Sequence, residues 1–71
     1  MLQRRQEIID AAATLFTSRS YESVTIDEIA EEADISRATL YYHFDSKESI
    51  YFEIGVQFIT GLKEKQLEDI D

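Results

Sequence analysis

The chain has no cysteine and no proline, and its two glycines come late, at Gly55 and Gly61. Without cysteine, neither a disulfide nor a thiolate metal site can supplement the core. Without proline, and with no glycine before residue 55, nothing breaks long helices and no glycine-rich phosphate loop exists. Uninterrupted apolar runs never exceed three residues, so no segment spans a bilayer. The N-terminal MLQRRQEIID has two arginines but no apolar run behind them, which excludes a secretory leader there. A cytoplasmic protein without a membrane partner is expected. Histidine is also scarce: His43 stands alone, seven residues from Ser36 on a short helix, too far for a nucleophile–base pair. No catalytic residue, metal or cofactor is therefore expected, and an enzyme is excluded.

What remains is a single small domain of 71 residues, which buries only about 60% of its unfolded surface. Fifteen acids against seven bases give a net charge of −8. A field of that sign repels nucleic acid at long range, so composition alone opposes a DNA-binding role.

Placement of residues says more than their totals. Ile8, Ile9, Ala12, Ala13, Leu15 and Phe16 recur at helical intervals, which predicts a helix from about Gln3 to Ser18. Thr25 followed by Glu28 reads as a capping box opening a short helix, with Ile26, Ile29, Ala30 and Ala33 on one face and Asp34 ending it. Ser36 reads as the next N-cap, with Ile35 and Leu40 spaced as a hydrophobic staple. Ser46 opens a longer helix from about Lys47 to Lys65, whose apolar stripe includes Ile50, Ile54, Phe58 and Leu62. Gly55 and Gly61 inside it suggest close packing or a bend. The fold class expected is all-α: a homeodomain-like, three-helix helix-turn-helix domain over residues 1–45, plus a longer fourth helix over 46–71.

The third helix, SRATLYYHF, spends few side chains on burial. At roughly 100° per residue, Leu40 and Phe44 define its buried side; Ala38 and Tyr42 lie opposite, flanked by Thr39 and Tyr41. A small Ala38 permits close approach to a duplex, Thr39 offers a hydroxyl and a methyl, and Arg37 can fork onto guanine O6 and N7. Tyrosine hydroxyls, His43 and Thr25 suit phosphate oxygens, and Lys47 joins the free N–H groups at the start of the fourth helix. A cation there is disfavoured by the helix dipole, which points to an anionic partner. From Ser36 to Lys47 the only acid is Asp45.

The stretch TIDEIAEEADISRATLYYHFDSKESI (25–50) resembles the DNA-binding domain of TetR/AcrR-type transcriptional regulators, and ATLFTSRSYESVT matches the family's lead-in to it. Thr25, Ile29-Ala30, Ser36, Thr39-Leu40-Tyr41, His43-Phe44 and Ser46-Lys47-Glu48 stand at the family spacing. The resemblance implies that Ser36, Arg37, Ala38, Thr39 and Tyr42 face the major groove, and that Thr25, Tyr41, His43 and Lys47 contact the backbone. It implies Ile29, Ala30, Ala33, Ile35, Leu40 and Phe44 as core. It further implies a repressor that binds a palindromic operator as a homodimer and is released by a small-molecule effector, both through a C-terminal ligand-binding domain absent from this chain. Ser20 and Asp34 stand where the family has glycine, and left-handed backbone is expected at both. Ala38 replaces another frequent glycine. Tyr51, Phe52, Val56, Phe58 and Ile59 cannot all face so small a core. They carry the alternative reading, an acidic helical protein-interaction module using the apolar face of the fourth helix.

Overall fold

The computed structural model describes the backbone of residues 2–70 and the side chains of residues 4–60. It is all-helical: α1 (Leu2–Ser18), a single 3₁₀ turn (Tyr21–Ser23), α2 (Ile26–Glu32), α3 (Arg37–His43) and α4 (Lys47–Ile70). The first helix packs against α2 and α4, and α2 packs against α3.

Helices α2, α3 and α4 each start on a side-chain cap. Thr25 Oγ1 accepts from the Glu28 N–H at 3.2 Å while the Glu28 carboxylate accepts from the Thr25 N–H at 3.1 Å, so the capping box is complete. Ser36 Oγ accepts from the Thr39 N–H at 3.0 Å. Ser46 and Ser49 cap reciprocally, at 3.2 and 3.1 Å. Such bonds join residues three apart, and their sequence signature is correspondingly local.

The turn between α2 and α3 is closed by two backbone bonds. The Ile35 N–H donates to the Ala30 carbonyl at 3.0 Å and the Asp34 N–H to the Glu31 carbonyl at 3.1 Å. This is a Schellman motif, and it requires a left-handed residue at Asp34, whose φ is +61°. Ser20 differs from expectation: its φ of −68° and ψ of 153° are extended, so glycine is not needed there for backbone reasons. Asp34→Gly is therefore expected to raise stability by about 0.5–1 kcal/mol, read as a higher urea midpoint at unchanged slope. Ser20→Gly should not raise it.

The core consists of Ile8, Ile9, Ala12, Val24, Ile29, Ala30, Leu40, Phe44 and Ile50, with Leu15, Phe16, Ile26, Ala33, Ile35 and Ile54 partly buried against it. The core residues expected from the family resemblance thus divide. Ile29, Ala30, Leu40 and Phe44 are fully inside, whereas Ala33 and Ile35 form its edge. Along α4 the apolar stripe leaves the core after Ile54, and Phe58 is exposed. A Cβ added at Gly55 would meet nothing within 4 Å, so close packing does not explain that glycine. Leu62 and Gly61 lie outside the described side chains. No helix among the described residues is long and apolar enough to cross a membrane.

Around the 3₁₀ turn a second cluster joins α1 to α4. Tyr21 stacks on Phe16 at 5.4 Å between centroids, and Tyr51 meets both rings edge-on at 4.9 and 5.1 Å. Arg19 reaches across to α2, 2.9 Å from the Glu28 carboxylate. That guanidinium, followed by the Thr25 N–H bond, holds the Glu28 carboxyl below its ordinary value of 4.5. The folded chain then takes up this proton less readily than the unfolded one, so the contribution to stability is present above pH 4.5 and lost as pH falls through the lowered value. Glu28→Gln should flatten the acid-side decline of the urea midpoint.

Candidate nucleic-acid interface

The outward side of α3 follows from how its inward side is fixed. Leu40 is fully buried and Phe44, the C-cap residue, nearly so. With those two anchored, the helix must turn Arg37, Ala38, Tyr41 and Tyr42 outward, and all four are exposed. Tyr42 is the extreme, at 85% exposure. An aromatic ring held that far into water has no role in the core of this domain.

The remaining predicted base-reading residues are more constrained. Ser36 is committed as the cap, and its hydroxyl also donates to Thr39 Oγ1 at 2.9 Å. Thr39 is half-buried, and with one lone pair taken by Ser36 it keeps its hydroxyl hydrogen and one acceptor site to offer. Arg37 is exposed, with Nε 3.5 Å from Asp27 of α2 and its guanidinium carbon 5.8 Å from the Tyr41 ring.

Of the predicted phosphate contacts, Thr25 is exposed and, with its oxygen accepting the cap bond, retains a free O–H. Tyr41 is 42% exposed. His43 is half-buried, packs edge-on against Tyr42 at 5.2 Å, and lines a cleft with Arg5, Phe44 and Phe52. Lys47 departs most from expectation. Its ammonium donates to the carbonyls of Tyr21 at 2.8 Å and Val24 at 3.0 Å, and lies 4.1 Å from the centre of the Tyr21 ring. A lysine in the first turn of α4 thus has an intramolecular reason to be there, and no anion is needed to explain it. Two of its three N–H groups are engaged; one is left. The same contact has a second effect. Because Val24 immediately precedes the Thr25 cap in the chain, Lys47 lies at the N-terminal end of α2.

Two polar residues escaped the sequence reading. Asp27 has no role in the sequence reading, yet it lies 3.5 Å from Arg37. Arg5 lies over the Phe44 ring at 4.9 Å and pairs with Glu53 at 3.6 Å, which ties α1 to α4 beneath the end of α3. Neither contact has a local signal, since each joins residues on different helices. The open groove between α2 and α3 is lined by Asp27, Glu31, Asp34, Ile35, Ser36 and Arg37, so acids flank α3 on one side.

The family model for bacterial regulatory proteins of the tetR family matches residues 8–54. Among curated relatives, the biofilm operon icaADBC HTH-type negative transcriptional regulator IcaR of Staphylococcus aureus (strain Newman) is 53% identical over 47 residues, which cover 66% of this chain and 25% of the relative. The protein of the same name from Staphylococcus epidermidis is 47% identical over 47 residues with the same coverage. The chain therefore spans about a quarter of the length of the relatives it matches. No solved structure matches it.

Proposed function

Since the chain belongs to the tetR family of bacterial regulatory proteins, we propose that it is the part of a transcriptional repressor that reads double-stranded DNA in a sequence-specific manner. The carrying observation is the exposed face of α3, where Arg37, Ala38, Tyr41 and Tyr42 stand outward from a helix pinned by Leu40 and Phe44. Such a helix fits the major groove. Arg37, Ala38 and Tyr42 read base edges, with Thr39 and Ser36 at the margin, while Thr25, Tyr41, His43 and Lys47 contact phosphates. The repressor sign follows the relatives, which are named as negative transcriptional regulators.

In the intact protein, two copies place their α3 helices about 34 Å apart, or a multiple of it, on a palindromic operator. A small-molecule effector bound to a C-terminal domain changes that separation through α4 and lowers affinity. Full-length protein whose operator affinity is indifferent to every candidate effector would remove this last step.

The net charge of −8 weakens binding to DNA of any sequence and so favours a reader that depends on its base contacts. The test is a two-dimensional amide NMR titration of the chain with short duplex DNA at low salt. Shifts confined to Thr25 and residues 36–47 are expected. A well-dispersed spectrum with no shifts, or with shifts elsewhere, would overturn the reading.

One observation favours a second role. Tyr51, Phe52, Val56, Phe58 and Ile59 of α4 are all exposed, and Phe16, Tyr51, Ile54 and Phe58 line an apolar groove between α1 and α4. That surface suits a protein partner, and none of its residues belongs to the reading face of α3, so the two roles are compatible.

A further inference from the structure

Asp27 meets Arg37 at an atom that an end-on base contact does not need. Asp27, in the first turn of α2, approaches Arg37 at Nε, at 3.5 Å. An arginine that forks end-on onto guanine uses its two terminal nitrogens, with parallel N–H groups directed at O6 and N7. An acid at Nε occupies the side edge of the guanidinium, and neither terminal nitrogen has a partner among the described residues. The Tyr41 ring bounds one face of the same group, 5.8 Å from its carbon. The guanidinium thus has an acid beside one edge and a ring beside one face, and its recognition end has no partner among the described residues.

The pair contributes little to stability, because both side chains are about two-thirds exposed, at 64% and 68%. Its position is also adverse for DNA affinity. Asp27 shares the groove beside α3 with Glu31 and Asp34, where its charge opposes an approaching phosphate backbone. An acid that disfavours all DNA, yet orders the one side chain able to fork onto a base, makes sense where discrimination matters more than affinity.

We propose that Asp27 is a positioning residue for base recognition: it presents the Arg37 fork to one base pair and penalises DNA that lacks the matching base. The inference rests on α3 being the reading helix. A bidentate contact is worth discrimination only if the fork is pre-aimed, and Asp27 supplies the aim through Nε.

The experiment is selection by the chain from duplexes carrying a randomised window of about 10 base pairs, one helical turn. Binding of the selected duplex and its single-pair variants is then measured by fluorescence anisotropy across salt concentrations. Asp27→Asn, Arg37→Ala and Asp10→Asn are compared, the last being the same charge change on α1. Asp27→Asn should bind unselected duplex about 2-fold tighter at low salt, because one opposing charge is gone. Its preference should fall at least about 5-fold at a single base pair, the one that Arg37→Ala also relaxes. Asp10→Asn should leave every preference intact.

Equal tightening on all duplexes with preferences retained would reduce Asp27 to a charge effect and overturn the proposal. So would a preference lost at a different base pair from that of Arg37→Ala. If the unaltered chain enriches no sequence at all, the reading of α3 itself fails and the role of Asp27 falls with it. Unchanged urea midpoints for Asp27→Asn would show that a loss of preference is not a loss of fold.

Discussion

Leu40→Ala is expected to destabilise the domain by about 2–5 kcal/mol, the range for a fully buried leucine whose cavity cannot collapse. Leu40 has no exposed surface and sits among Val24, Ile29, Phe44 and Ile50. A chain of this size has roughly 4–10 kcal/mol in total, at 0.05–0.15 kcal/mol per residue, so the loss removes a large part of it. The consequence reaches the interface because Leu40 sets the rotation of α3. Arg37, Ala38, Thr39, Tyr41 and Tyr42 all lie within three positions of it in the sequence. A cavity there lets the helix turn and misplaces each of them together. Urea unfolding followed by circular dichroism should show a lower midpoint at unchanged slope, and DNA preference should blur at several base pairs at once. Leu40→Met, which conserves volume, should cost less than about 1.5 kcal/mol and keep the preference. A loss below about 1 kcal/mol for Leu40→Ala would mean that other residues pin α3.

The contrast between what was legible in the sequence and what was not has a single physical origin. Caps at Thr25, Ser36 and Ser46 join atoms three residues apart, so the patterns T-x-x-E, S-x-x-T and S-x-x-S contain the whole interaction. Periodicity likewise locates Ile29, Leu40, Phe44 and Ile50, because a helix fixes which side chains share a face. Val24 has no such help. It is a single apolar residue between a 3₁₀ turn and a cap, and only the packing of α1, α2 and α4 around it makes it core. Phe58 fails in the opposite direction: it has the right helical phase, but the small core is already closed by Ile50 and Ile54. Ser20 and Asp34 each replace a glycine frequent in the family, yet only Asp34 closes a Schellman motif and takes positive φ. Contacts between helices, such as Asp27 with Arg37 and Lys47 with the Tyr21 and Val24 carbonyls, depend on tertiary placement and leave no pattern in the chain.

Lys47 gives that last point an experimental form, because its two roles separate in measurement. Lys47→Met keeps an unbranched apolar stem over Tyr21 and removes the ammonium. Bonds from a charged donor contribute about 1.5–3 kcal/mol, and part of that returns as water reaches the two carbonyls. The Tyr21 carbonyl also keeps the Val24 N–H at 3.3 Å. A net stability loss of about 1–2 kcal/mol is therefore expected, seen as a lower urea midpoint. On DNA, if the third N–H reaches a phosphate, the slope of log affinity against log salt should fall by about 0.9 for every sequence alike. Lys47→Arg tests the same point with the charge retained: its planar fork has more donors but a different reach, so it should restore the salt slope more fully than the stability. Stability lost with an unchanged slope would make Lys47 a brace alone, holding the start of α4 against the turn before α2. A slope lost with unchanged stability would mean the two carbonyl bonds contribute nothing in water. Loss of both is the result the geometry favours, because the ammonium that fastens α4 to the N-terminal end of α2 bonds the carbonyl of the residue before Thr25, itself a proposed phosphate contact. One side chain would then tie the position of α4 to the affinity of the reading unit for DNA.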